Sequence, residues 1–167
     1  MQGKNTVNVA RNGRELTLTR ILDAPRELVW VAWTDPAHVA NWWGPNGFTN
    51  SIRKMDVRAN GEWLFTMHGP DGGDYPNKIV FTKVEKPKFL AYKHSGDYNT
   101  KDVKFEVKVT FEEVNGKTRV TMRSVFESSE ELDRVEKGHG AIEGGKQTLT
   151  RLGEYLENMN GGKSMPK

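Results

Sequence analysis

The chain carries four histidines, His38, His68, His94 and His139, and no cysteine. None of the histidines stands in an HxxxH pair or another metal-ligand spacing, and without thiols there is no thiolate site, disulfide scaffold or cysteine nucleophile. The pattern points to no metal and no cofactor. Asp71 and Asp74 lie in the stretch Gly69-Pro-Asp-Gly-Gly-Asp74, which offers too few regularly spaced oxygens for a calcium loop, and a hairpin turn accounts for it. There is no Gly-x-Ser-x-Gly elbow and no phosphate loop. General acid–base chemistry would fall to Asp56, His68 and His94, and nothing in their spacing makes them converge. No catalytic residue is assigned, and the expectation leans to binding rather than catalysis.

A ligand site is better supported by the aromatic residues. Five tryptophans stand in a chain with only 35% hydrophobic residues, and each can bury about 150–250 Å², so they must carry much of a lean core. Trp30 and Trp33 share a helical face and read as core. Trp42 and Trp43 are adjacent, so on a helix they point about 100° apart and cannot fill one niche. Either one of them lines a cavity entrance or both wedge short helices onto a sheet.

Trp63, Phe65 and Met67 alternate on one strand face and form a candidate cavity wall. Phe105, Val107 and Met122 belong to the apolar face of the last hairpin, where Ser124 is the one hydroxyl. Tyr92 and His94 share a face of their own strand. Sparse polar groups amid apolar walls are what a pocket uses to orient a ligand, although for each of them alone a structural hydrogen bond is the stronger reading. On the last helix, Ile142 and Gly145 complete the candidate set. Gly138, Gly140, Gly144 and Gly145 cluster there; interior helical glycine costs about 1 kcal/mol relative to alanine, so the cluster implies close packing, room for a ligand, or a helix break.

The elements that must position these residues follow from periodicity. Residues 1–13 are polar and read as a loosely held segment, 14–160 as one domain, and 161–167 as a flexible tail. Arg14–Leu22 alternates as a first strand, with Leu16 and Leu18 on one face and Arg20 next in that series. Asp23-Ala-Pro25 and Asp35-Pro36 each open a short helix, the second ending at Gly44-Pro45. Strands are predicted at 48–58, 62–69, 75–85, 89–95, 102–114 and 117–126, with a loop over 95–101. If Asn115-Gly116 is a two-residue turn, Phe111 opposes Val120, Val109 opposes Met122, Val107 opposes Ser124 and Phe105 opposes Phe126, so the apolar faces coincide. A two-residue turn at Asn60-Gly61 would instead set Arg58, Asp56 and Lys54 beside Trp63, Phe65 and Met67, unless a bulge changes the register. Ser128 and Glu131 form a capping-box pattern, and Ile142, Leu149, Leu152, Leu156 and Met159 make one face of a long helix. That helix is the only large partner for a curved antiparallel sheet, and the two would enclose a groove.

Charge narrows the partners. The net charge of +3 comes from 25 basic and 22 acidic residues without a basic block, which argues against nucleic acid. The start has no apolar signal core and the longest apolar run, Leu28–Trp33, is far too short to cross a membrane. A cytoplasmic protein, monomeric or weakly dimeric, is expected.

Several of these segments resemble a known family. Asp23-Ala-Pro-Arg-Glu-Leu-Val-Trp30, Trp33-Thr-Asp-Pro36, Trp42-Trp-Gly-Pro45, Gly61-Glu-Trp-Leu-Phe-Thr-Met67, Gly69-Pro-Asp-Gly72 and the C-terminal stripe are similar to the activator of heat-shock-protein-90 ATPase domain family. That family lies within the START-like, pollen-allergen-like superfamily, with polyketide cyclases and lipid-transfer domains. The resemblance spans roughly 14–160. It implies an α+β helix-grip fold, with a curved antiparallel sheet of about seven strands wrapped around a long C-terminal helix. It also implies a cavity, often for a small apolar molecule such as a lipid, polyketide or flavonoid. The family name implies an alternative partner, a chaperone ATPase, for which Lys78, Lys83, Lys86, Lys88 and Lys93 would supply a basic face. A cyclase-type enzyme is the third reading. Relatives commonly carry Gly-Trp where this chain has Gly140-Ala141, so a space-filling ring is missing here.

Overall fold

The computed structural model describes residues 7–95 and 105–164. Eight strands form one antiparallel sheet in the order β1-β2-β8-β7-β6-β5-β4-β3. They are β1 (Asn8–Asn12), β2 (Glu15–Leu22), β3 (Thr49–Met55), β4 (Glu62–His68), β5 (Asp74–Glu85), β6 (Phe89–Ser95), β7 (Phe105–Val114) and β8 (Lys117–Phe126). Helices α1 (Arg26–Thr34) and α2 (Pro36–Val39) follow β2, and α3 (Ser129–His139) and α4 (Ala141–Ser164) follow β8. This is the expected α+β helix-grip architecture. Among the described residues, no helix is long and apolar enough to cross a membrane.

The β7–β8 hairpin has the register that its alternation demands. Asn115 and Gly116 both take positive φ, 52° and 81°, and the pairs Phe111–Val120, Val109–Met122, Val107–Ser124 and Phe105–Phe126 form as predicted. Strand β2 adds to β8 with Leu16 opposite Ser124 and Leu18 opposite Met122.

At Asn60-Gly61 the bulged alternative holds. Met55 opposes Trp63, Ile52 opposes Phe65 and Asn50 opposes Met67, with the register shifting between Ile52 and Lys54. The aromatic wall therefore meets Ile52 and Met55, not three charges. The cause is that Asn60 and Gly61 also bond to β5: Asn60 N–H donates to the Phe81 carbonyl at 2.7 Å, and Phe81 N–H to the Gly61 carbonyl at 2.9 Å. The turn widens to satisfy both neighbours, and Asp56 and Arg58 pair with each other at 2.7 Å within it.

Other boundaries move for physical reasons. Residues 8–12, read as part of a loose segment, form the edge strand β1, so the sheet has eight strands rather than about seven. All five β1 residues are exposed, so no apolar alternation announces the strand. Helix α2 stops at Val39, short of Gly44. Helix α4 continues through Gly161-Gly162 to Ser164, because glycine weakens a helix without removing its N–H as proline does. The predicted loop over 95–101 and the start of the 102–114 strand fall largely outside the described residues, as do residues 1–6 and 165–167.

One core joins sheet and helices. Trp33 sits edge-on to Trp42 at 5.0 Å and to Trp43 at 6.1 Å, and Trp43 meets Trp63 at 4.8 Å. Leu149, Leu152 and Leu156 of α4 are buried against this cluster. Arg20 follows Leu16 and Leu18 on the inward face of β2 and is itself buried; its Nη1 donates to the Leu149 carbonyl at 2.8 Å. Gly153 makes room for that guanidinium, which would lie 2.6 Å from an added Cβ.

Gly61 has less freedom still, since a Cβ there would fall 2.0 Å from the Asp56 carbonyl oxygen, a backbone atom. Gly61→Ala is therefore expected to destabilise by about 1–3 kcal/mol, a drop of several degrees in Tm by thermal unfolding. An unchanged Tm would contradict this account of the turn.

Candidate functional site

The Trp42-Trp-Gly-Pro45 turn is pinned to α4 by one side chain. Arg151 Nη1 donates to the carbonyls of Gly44 and Pro45, each at 2.8 Å. Its Nη2 donates to the Phe48 carbonyl at 3.0 Å and the Asn41 carbonyl at 3.3 Å. Backbone carbonyls of a turn have no ladder to join, and a planar guanidinium can serve several at once. Burial lowers the Arg151 pKa from its ordinary value, opposed by the charge of Glu154. Gln147 adds a further tie, its Oε1 accepting from Asn46 N–H at 3.0 Å.

Behind this turn, between the sheet and the start of α4, lies a chamber of about 260 Å³. Leu16, Leu18, Met122, Phe105 and Phe126 supply sheet-side walls, and Trp43, Gly44, Pro45 and Met67 form one rim. Gly140, Gly144, Gly145 and Thr148 make the helical side. The chamber opens into a wider vestibule of about 850 Å³, bounded by Phe48, Tyr75, Pro76, Val135 and Gln147.

The glycines have separate tasks. A Cβ on Gly145 would sit 2.5 Å from Leu18 Cδ1, so here the helix packs directly on the sheet. A Cβ on Gly144 would meet only Pro45 Cγ at an ordinary 3.5 Å, so this position faces open space. Gly140, at φ 61°, ends α3 in the left-handed conformation and marks the helix break.

Three polar side chains reach the chamber from the sheet: Tyr92, His94 and Ser124. The Asn77 amide donates through Nδ2 to the Tyr75 carbonyl at 2.9 Å, which turns its Oδ1 toward His94 Nε2, also at 2.9 Å. His94 Nε2 is therefore the protonated nitrogen. Burial lowers the His94 pKa from 6.5 to about 4, so the ring is neutral at neutral pH. The Tyr92 hydroxyl is buried without a hydrogen-bond partner among the described residues, and burial pushes its pKa well above the usual phenol range.

Of the sequence-predicted site residues, Trp43, Met67, Tyr92, His94, Phe105, Met122, Ser124 and Gly145 come together around the chamber. Trp42, Trp63, Phe65 and Val107 are buried behind it as core. For Trp42 the indole N–H donates to the Ala32 carbonyl at 3.0 Å, which fixes it inward. Ile142 packs instead with Leu16, Phe126 and Leu132 in a second cluster. The wall residues that sequence reasoning missed, Leu16, Leu18 and Phe126, become visible once β2 is paired with β8. Arg151 and Thr148 gave no periodic signal.

The acid–base candidates do not converge. Asp56 is held by Arg58 in the β3–β4 turn, and His94 faces the chamber. His68 lies between Ser51 Oγ at 2.7 Å and Asp74 Oδ1 at 2.8 Å, a relay in which Ser51 and Asp74 are exposed. Among the basic-face residues, Lys78 pairs with Glu62 and Lys83 with Glu85.

The family model described as Activator of Hsp90 ATPase homolog 1-like protein matches residues 23–157. A crystal structure of a protein from Mycobacterium smegmatis is 28% identical, with 90% of this chain and 96% of that chain covered and a TM-score of 0.80. A solution structure of a protein from Arthrobacter aurescens is 25% identical, covers 92% of each chain and has a TM-score of 0.84. An AHSA1-like protein from Aeromonas hydrophila, 23% identical over 90% of this chain and 97% of that chain with a TM-score of 0.65, shares the fold. Among curated proteins no significant match is found.

Two outcomes follow from this geometry. Arg151→Ala leaves several carbonyls without their donor and is expected to cost about 2–4 kcal/mol in denaturant unfolding, with Arg151→Lys restoring only part, because an ammonium cannot fork; full rescue by lysine would contradict the clamp. For His94, the folded pKa of about 4 lies below the ordinary 6.5, so the unfolded chain takes up the proton first. Stability is fully present above about pH 6.5 and falls as pH drops toward 4. His94→Gln is expected to flatten that part of the stability–pH curve, and an equal slope in both proteins would count against it.

Proposed function

The chain belongs to the Activator of Hsp90 ATPase homolog 1-like family, and from that premise we propose that it binds a small, largely apolar molecule in the chamber between the sheet and α4. The observation that carries this reading is the chamber itself. It is walled by Leu, Met and aromatic side chains, holds about 260 Å³ and opens to a vestibule. Even an engineered apolar cavity of about 150 Å³ takes up benzene, so one or two fused rings are within its capacity. The fold family, which commonly binds hydrophobic ligands, supports the same reading. Among the described lining residues no nucleophile is paired with a base, and no catalytic residue is assigned.

A co-chaperone role would instead use the charged outer face, and measuring the ATPase rate of a heat-shock-protein-90-type chaperone with and without the protein separates the two readings.

Titration with the neutral fluorophore N-phenyl-1-naphthylamine tests the chamber. A saturable rise in emission is expected from the parent protein. Gly144→Leu, which replaces a helical glycine by a better helix former and projects its side chain into open space, is expected to weaken the probe at least tenfold while Tm stays level or rises. Saturable binding unaffected by that substitution, or none in the parent, would contradict the proposal.

A further inference from the structure

The chamber has a polarity of its own. Among the described residues, no lysine, arginine, aspartate or glutamate lines it. The most buried of its described polar lining residues is Tyr92 on β6, 1% exposed and edge-on to Phe81. Nothing in the described chain accepts from its hydroxyl. A buried hydroxyl left unpaired is unfavourable, and the loss is recovered if something entering the chamber accepts from it. Two strands away on the same face of the sheet, across Val107, Ser124 is a second hydroxyl without a partner among the described residues, and His94 spends its N–H on Asn77.

The approach to the chamber disfavours anions. Among the described residues that border the vestibule, Asp74, Glu131 and Glu143 stand against one cation, Arg134. Arg134 is itself spent, its Nη2 and Nε donating to the Glu131 carboxylate at 2.6 and 3.0 Å. The start of α4 would ordinarily draw an anion to its free N–H groups. Here the Glu136 carboxylate already accepts from Ile142 N–H at 2.7 Å, and Glu143 adds negative charge in the first turn.

We propose that the ligand is an uncharged molecule whose inner end presents a hydrogen-bond acceptor, of ketone or ether type, to the Tyr92 hydroxyl, and that carboxylates such as fatty acids are turned away at the mouth. This rests on the ligand-binding reading above and narrows it to a polarity class.

Three probes of one shape test it by calorimetric titration at neutral pH: 2-acetonaphthone, 2-ethylnaphthalene and 2-naphthoate. Tyr92→Phe is expected to weaken the ketone about five- to tenfold while leaving the hydrocarbon within twofold. The naphthoate is expected to bind at least tenfold more weakly than the ketone. Equal effects of Tyr92→Phe on ketone and hydrocarbon, or a naphthoate as tight as the ketone, would overturn the proposal while leaving apolar binding intact. Failure of all three probes would overturn the ligand-binding reading as well. Melting of the unliganded variant gives a second readout: removing a hydroxyl that has no partner should leave Tm unchanged or higher, and a clear loss of stability would mean that the hydroxyl serves the fold.

Discussion

The Arg151 guanidinium holds the site together. It ties α4 to the backbone of the turn carrying Trp43, Gly44 and Pro45 through several carbonyls at once, where Gln147 adds a single bond to Asn46 N–H. With that turn fixed, Trp43 is set edge-on between Trp33 and Trp63, and the rim of the chamber has a defined shape. On the far side, Arg20 does comparable work from β2 by reaching the Leu149 carbonyl. Two arginines, Arg20 buried and Arg151 half-buried, thus fasten the amphipathic helix at polar points, while Leu149, Leu152 and Leu156 fasten it at apolar ones.

Between these fastenings the helix is deliberately slight. Gly145 lets it touch Leu18 directly, and its neighbour Gly144 faces open space. Trp30, Trp33, Trp42 and Trp63 are buried in the core behind the chamber, and Trp43 stands at its rim.

The sequence made much of this legible, and unevenly. Alternation in Phe105–Phe111 and the Asn115-Gly116 turn were enough to derive the β7–β8 register residue by residue, because one buried face and a two-residue turn leave no alternative pairing. At Asn60-Gly61 the same logic left two registers open, since the turn also bonds to β5 through Phe81, a tertiary constraint that local sequence does not carry. Strand β1 escaped because both of its faces are wet. The site was legible where residues face inward at period two, as with Tyr92, His94, Met122 and Ser124. It was not where a residue acts at a distance: Trp63 and Phe65 have the right period yet stand behind the chamber, and Arg151 looks like any surface arginine of a helix until the turn it binds is folded against it.

Amide chemical-shift mapping with a neutral naphthalene probe tests most directly whether an apolar molecule resides in the space beneath the first turns of α4. Saturable shifts are expected at Gly44, Met67, Tyr92, Ser124 and Gly145, which line the chamber from separate elements. Shifts confined to the outer face of the sheet, around Ser51, Lys83 or Arg119, would contradict that location.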